Sequence, residues 1–152
     1  MKVLIMLLLL IVELSAVNTN ELVGKWQAMR QGTNNGTLTI EKEYLTLKNN
    51  HTFSILVFVS VQKEDAFIKD LRIEGSGIWK VWNNTLVIVV NRVDVPKAGE
   101  IYRISQSSLR NLAATFKRKY KNEPIRINKI IALDQKRLKL INEVEVQTVY
   151  TR

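Results

Sequence analysis

The chain has 152 residues, of which 46% are hydrophobic and 24% charged, with a formal net charge of +9, a single histidine and no cysteine. That length suits one domain with its own core and leaves little for a second. The absence of thiols excludes disulfide staples, thiolate metal sites and a lipid-modified cysteine anchor, so the fold is held by its apolar core.

Residues 1–16 have the layout of a secretory signal peptide. Lys2 supplies the positive start, residues 3–12 are an unbroken apolar run of ten, and Ser15-Ala16 offers a small-residue cleavage site. The alternative is an uncleaved anchor; either way the expected location is the periplasm or the exterior. Cleavage after Ala16 removes one lysine and one glutamate, so the charge of the remaining domain stays at +9. Such a field favours anionic partners or simply keeps the domain soluble. Asn35, Asn50 and Asn83 open glycosylation-type triplets, but each lies in an expected turn, where asparagine is common.

From there the chain reads as short strands. Residues 23–30 alternate Trp26 and Ala28 with Lys25 and Gln27, the period of a half-buried strand. Residues 31–36 form a turn cluster, and the return strand comes in two pieces, 37–40 and 44–48. Asn49, Asn50 and His51 make the next turn. Residues 53–61 place Phe53, Ile55, Val57, Val59 and Val61 on one face. Leu56 and Phe58 make the other face partly apolar, so that face is either covered or used for binding. After a polar loop over 62–65, a long strand at 71–82 sets Leu71, Ile73, Trp79 and Val81 on one side. Gly75 and Gly77 lie on the same side and predict a bend or bulge. Residues 85–92 return, 93–100 read as a loop, and 101–104 as a short strand.

The period then becomes helical. Leu109, Leu112, Ala113, Phe116 and Tyr120 share one face of a helix over 107–121. Ser105 or Ser107 can cap its start, Lys117-Arg118-Lys119-Tyr120-Lys121 suits the negative end of the helix dipole, and Pro124 stops it. Strands at 125–133, 137–142 and 144–150 complete the chain. Roughly nine strands with hairpin spacing and no βαβ alternation predict an all-β fold, an antiparallel up-and-down β-barrel with one amphipathic helix inserted before the last three strands.

Gly24-Lys25-Trp26 on the first strand resembles the glycine-x-tryptophan mark of the calycin superfamily, the lipocalins and their relatives. The stretch from Tyr44 to Phe53 looks like the second hairpin of small bacterial lipocalin-like domains. Gly75-Ser-Gly-Ile-Trp79 looks like their Gly-x-Gly-x-Trp strand, and Val149-Tyr-Thr-Arg152 like their closing strand. The resemblance implies a barrel of eight to ten strands with a cavity for a small hydrophobic molecule. It also implies that Gly24 and Trp26 close one end beneath a basic residue of the last strand, for which Arg152 stands in position. Two features depart from the lipocalin pattern: the first connection is short, and the helix precedes the final strands.

Within such a barrel Phe53, Ile55, Val57, Val59, Leu71 and Ile73 either line a cavity or fill the interior. The helix either roofs the mouth with Phe116 and Tyr120, its Lys117, Arg118 and Lys121 holding an anionic head group, or packs outside over Leu56 and Phe58. Trp26 and Trp79 read as structural plugs, and Trp82 as a cover or interface residue. The basic helix end also suits an anionic membrane surface, whereas nucleic acid is not an expected partner of an exported chain. His51 sits in a turn, no nucleophile constellation is present, and neither metal nor cofactor is expected. The expectation is thus a non-enzymatic carrier or binder of a small hydrophobic ligand, with or without an anionic group. The alternative is a filled barrel acting through its surface as an interaction or inhibitor module of the envelope.

Overall fold

The computed structural model describes residues 16–152, so the predicted signal peptide lies outside the described residues apart from Ala16. The first element is a single helical turn that the periodicity does not reveal, α1 (Thr19–Leu22). The Asn18 side chain caps it, accepting from the Asn20 amide at 3.1 Å. β1 (Gly24–Asn34) and β2 (Thr37–Leu47) follow, joined by Asn35 and Gly36 alone. Both turn residues have positive φ, 48° and 73°, as a two-residue primed turn requires.

This hairpin is longer than expected. Residues 31–34 belong to β1, and β2 runs unbroken through Glu41-Lys42-Glu43. The polar residues stay in the ladder because Arg30 faces Glu41 directly and Glu43 diagonally, forming ion pairs with both.

β3 (Thr52–Lys63) and β4 (Ala66–Trp82) form the next hairpin, its turn shortened to Glu64 and Asp65. β5 (Thr85–Asp94) carries one extra residue, Asn91, opposite the Ser76–Gly77 step of β4. The glycines at 75 and 77 do mark a bulge, and the reason is steric. A Cβ on Gly77 would lie 1.9 Å from the Val89 carbonyl oxygen and 2.9 Å from the Phe53 ring.

A short β6 (Glu100–Tyr102) pairs with Phe67–Lys69, and then comes α2 (Gln106–Asn122). Ser105 caps α2 by accepting from the Ser108 amide at 3.1 Å, and Pro124 follows its end. β7 (Ile125–Leu133), β8 (Arg137–Asn142) and β9 (Gln147–Thr151) finish the chain. β9 begins three residues later than expected. Asn142 Oδ1 accepts from the Val144 and Val146 amides, which turns residues 143–146 out of the ladder.

Strands β1, β2, β3, β4, β5, β7, β8 and β9 pair in succession, all antiparallel, and a single register pair, Gln27 with Thr151, closes the ring between β1 and β9. β6 stands outside the ring on the free part of β4. The result is an all-β, closed, eight-stranded antiparallel barrel with a helix before the last three strands.

Its core falls into two clusters. One gathers Leu22, Trp26, Leu45, Phe53, Trp79 and Leu138 around the end where β1 begins. The other joins Val57, Val59, Ile68, Leu71 and Ile73 to the apolar face of α2, on which Leu109, Leu112, Phe116 and Tyr120 lie. Half-burying a leucine or phenylalanine stabilises by about 1 kcal/mol, so that stripe contributes about a few kcal/mol to seating the helix on β3 and β4.

Candidate functional site

The two ends of the barrel differ because their inward-facing residues differ. At the α1 end the interior is packed. Trp26 is 1% exposed and donates its indole N–H to the Leu22 carbonyl at 2.8 Å. The Arg152 guanidinium lies over the same indole, 4.0 Å from the ring centroid, and donates to the Val23 carbonyl at 2.9 Å and to the Glu21 carbonyl. Gly24 has φ +139°, and a Cβ there would meet Arg152 Nη2 at 3.3 Å. Glycine is thus needed two residues before the tryptophan, both for its backbone angle and for the approach of the arginine. Trp79 donates to the Lys48 and Thr52 carbonyls at 3.1 Å each, and His51, though exposed, rests on it with centroids 5.1 Å apart.

The opposite end is not filled. A cavity of about 520 Å³ opens there. Val57, Val59 and Ile73 form its apolar wall, and Phe116 and Tyr120 of α2 stand over it. The other wall is polar. Glu43, only 5% exposed, accepts from the Tyr150 hydroxyl at 2.5 Å and from Arg30 Nη2 at 2.9 Å. Arg30 also donates to Glu41 at 3.2 Å and to the Thr148 hydroxyl at 3.3 Å. That last bond spans β1 and β9 on the mouth side of their one register pair.

The electrostatics follow from this packing. Burial pushes the Tyr150 phenol well above its ordinary value, and the adjacent Glu43 carboxylate adds to the effect. Burial alone would lower the pKa of Arg30, but the Glu43 and Glu41 carboxylates outweigh it and raise it. Both oxygens of Glu43 are thus engaged, and its charge is matched. Arg126 is a different case. Its guanidinium stacks on the Tyr120 ring at 4.4 Å, borders the cavity and makes no ion pair among the described residues. Lys119 also borders the cavity without an ion pair there.

Of the residues expected to line a cavity, the structure brings Val57, Val59, Ile73, Phe116 and Tyr120 to it. Phe53 is instead packed in the closed-end core, Leu71 lies in the cluster under α2, and Ile55 sits between the two clusters. The three cations expected to hold a head group are not at the cavity. Lys117 pairs with Asp94 at 3.0 Å and, by donating to it, holds that carboxyl below its usual range. Lys121 borders a separate groove beside β5, and Arg118 is exposed. The helical phase explains this. Residues 116, 119, 120 and 123 border the cavity, so of the basic run only Lys119 points that way.

The packing of α2 also decides between the two expected positions of the helix. Its stripe meets the inward face of β3 and β4, not Leu56 and Phe58, and on the outer wall Phe58 meets Tyr44 edge-on at 6.2 Å.

Arg30, Glu41, Glu43, Tyr150 and Arg126 were missed from the sequence. Continuing β2 without a break would have shown Glu41 and Glu43 on the same side as Leu45 and Leu47. Among the described residues no group of acids and histidine is arranged to hold a metal. No family model matches the chain, and no curated protein matches it.

Proposed function

We propose that this chain is an exported, calycin-like binding protein that takes a small amphipathic molecule with an anionic group into the open half of its barrel. The observation behind this reading is the divided interior, packed around Trp26 and Trp79 at one end and holding a cavity of about 520 Å³ at the other. Small-ligand sites span roughly 300–1,000 Å³ and combine apolar walls with a few placed polar groups. Here Val57, Val59, Ile73 and Phe116 would receive the apolar part, each buried CH₂ contributing about 0.8 kcal/mol. Arg30 is already matched by Glu41 and Glu43, so Arg126 and Lys119 are the cations left for a carboxylate or phosphate. The glycine-x-tryptophan strand and its arginine lid support the calycin affinity, and residues 1–16 support export.

Titration with an anilinonaphthalene sulfonate dye, itself an amphipathic anion, tests the reading. One saturable site is expected, competed by a long-chain carboxylate and weakened about tenfold or more by Val57→Trp, which fills the apolar wall. Dye binding that is absent, or indifferent to Val57→Trp, contradicts it.

A further inference from the structure

We propose that the outer wall formed by β4, β5, β7 and β8 is a docking face for a bilayer rich in anionic lipid head groups. The strand registers build this face in rows. Ile78 lies beside Val89 and Ile125, Lys80 beside Val87 and Ile127, and Trp82 beside Thr85, Lys129 and Ile141. Beyond them Lys139 lies beside Val149. Several of the apolar members are open to solvent, with Trp82 73% exposed, Ile125 56% and Ile78 50%, while Val87, Val89 and Ile141 are half-buried and Ile125 and Ile127 also border the cavity. Contiguous apolar exposure of this kind marks an interaction site.

The charges in these rows are all of one sign. Lys80, Lys129 and Lys139 make no ion pair among the described residues, and the rows contain no carboxylate. This pattern argues against a second copy of the chain, since two such faces would set lysine against lysine. Strand addition finds little edge here, because every strand of the wall has a paired neighbour on both sides and the β7 edge that β8 leaves unpaired is only Ile125–Ile127. An anionic bilayer satisfies both halves of the face. Its head groups meet the lysines, whose stems extend along apolar surface, while the isoleucines and Trp82 enter the interfacial layer. Tryptophan favours that layer because its ring is apolar with one polar edge. The basic run of α2 is a poorer membrane site, because Lys117 is tied to Asp94 and the apolar stripe of the helix is turned inward.

Trp82 provides the readout, since Trp26 and Trp79 are each at most 2% exposed and their surroundings do not change on docking. The full chain is mixed with vesicles of phosphatidylglycerol and phosphatidylcholine at about 0.1 M salt, where charges act over roughly 10 Å. The emission should shift to the blue, and the shift should vanish near 1 M salt. The joint variant Lys80→Gln, Lys129→Gln and Lys139→Gln should partition about 100-fold more weakly while keeping its circular dichroism. The joint variant Lys117→Gln, Arg118→Gln and Lys121→Gln should bind like the parent.

Equal binding to pure phosphatidylcholine overturns the proposal, as does vesicle association with unchanged emission. So does loss of binding in the helix variant alone. A dimer in vesicle-free solution that dissociates on Ile127→Ser assigns the wall to a second copy and likewise overturns it.

Discussion

Replacing Tyr150 with phenylalanine isolates the polar network beneath the cavity. The change removes one oxygen and leaves the ring in place, so it creates almost no void. What is lost is a 2.5 Å hydrogen bond to the Glu43 carboxylate, at a site where both side chains are below a tenth exposed. A hydrogen bond to a charged group contributes about 1.5–3 kcal/mol. Glu43 keeps its contact with Arg30, so the lower part of that range applies, about 2 kcal/mol or a fall in Tm of about 4–8 °C. Urea unfolding of the wild type, Tyr150→Phe, Glu43→Leu and the double variant measures it. With Glu43 already removed, Tyr150→Phe should cost nothing or stabilise slightly, giving a coupling of about 2 kcal/mol. The network also sets an alkaline dependence. Folding raises the Tyr150 pKa above the ordinary 10.0, so above that pH the unfolded chain releases a proton that the folded one keeps. Stability from this group is therefore complete below pH 10 and declines as pH climbs beyond it. Tyr150→Phe lacks this decline, and the gap between it and the wild type should narrow above pH 10. A cost under about 0.5 kcal/mol, an equal cost in the Glu43→Leu background, or parallel alkaline slopes would refute the account.

Two further outcomes test the closed end and the bulge. Arg152→Ala removes the cation over Trp26 and two bonds to carbonyls, and should cost about 1–2 kcal/mol by urea unfolding; Arg152→Lys should recover only part of it, since an ammonium cannot stack and fork in the same way. Gly77→Ala places a methyl 1.9 Å from a backbone oxygen, so it should cost about 3 kcal/mol or more or prevent soluble expression, whereas Gly32→Ala, whose Cβ would meet nothing within 4 Å, should stay within about 1 kcal/mol of the parent.

The barrel was legible because its signals are local. Alternation of large and polar residues marked the strands, Asn-Gly and Asn-Asn marked turns, and the spacing from Leu109 to Tyr120 marked the helix. Gly75 and Gly77 announce the bulge because a Cβ has no room at either, against the Ile55 side chain at Gly75 and against the Val89 carbonyl at Gly77. The hairpin of β1 and β2 is longer than its hydrophobic pattern suggests, because Gln31-Gly-Thr-Asn34 and Glu41-Lys-Glu43 look like breaks when only hydrophobicity is followed. Ion pairs to Arg30 carry the ladder through that polar stretch, and a pairing between two strands is invisible within either one. The same blind spot hid the polar wall of the cavity. The helix was placed in the chain correctly, but the part of its basic run that faces the cavity depends on a rotation fixed by Val57, Val59 and Ile73, all distant in sequence. The short α1 was not seen because a single turn has no period to detect.

The central claim is that the open half of the barrel holds a ligand, and native mass spectrometry of the chain purified from its own host tests it most directly. The account predicts a reproducible added mass of about a few hundred daltons, in keeping with a cavity of about 520 Å³, removed by organic extraction and absent from Val57→Trp. A protein that emerges bare under gentle conditions, or an adduct equally abundant on Val57→Trp, would contradict it.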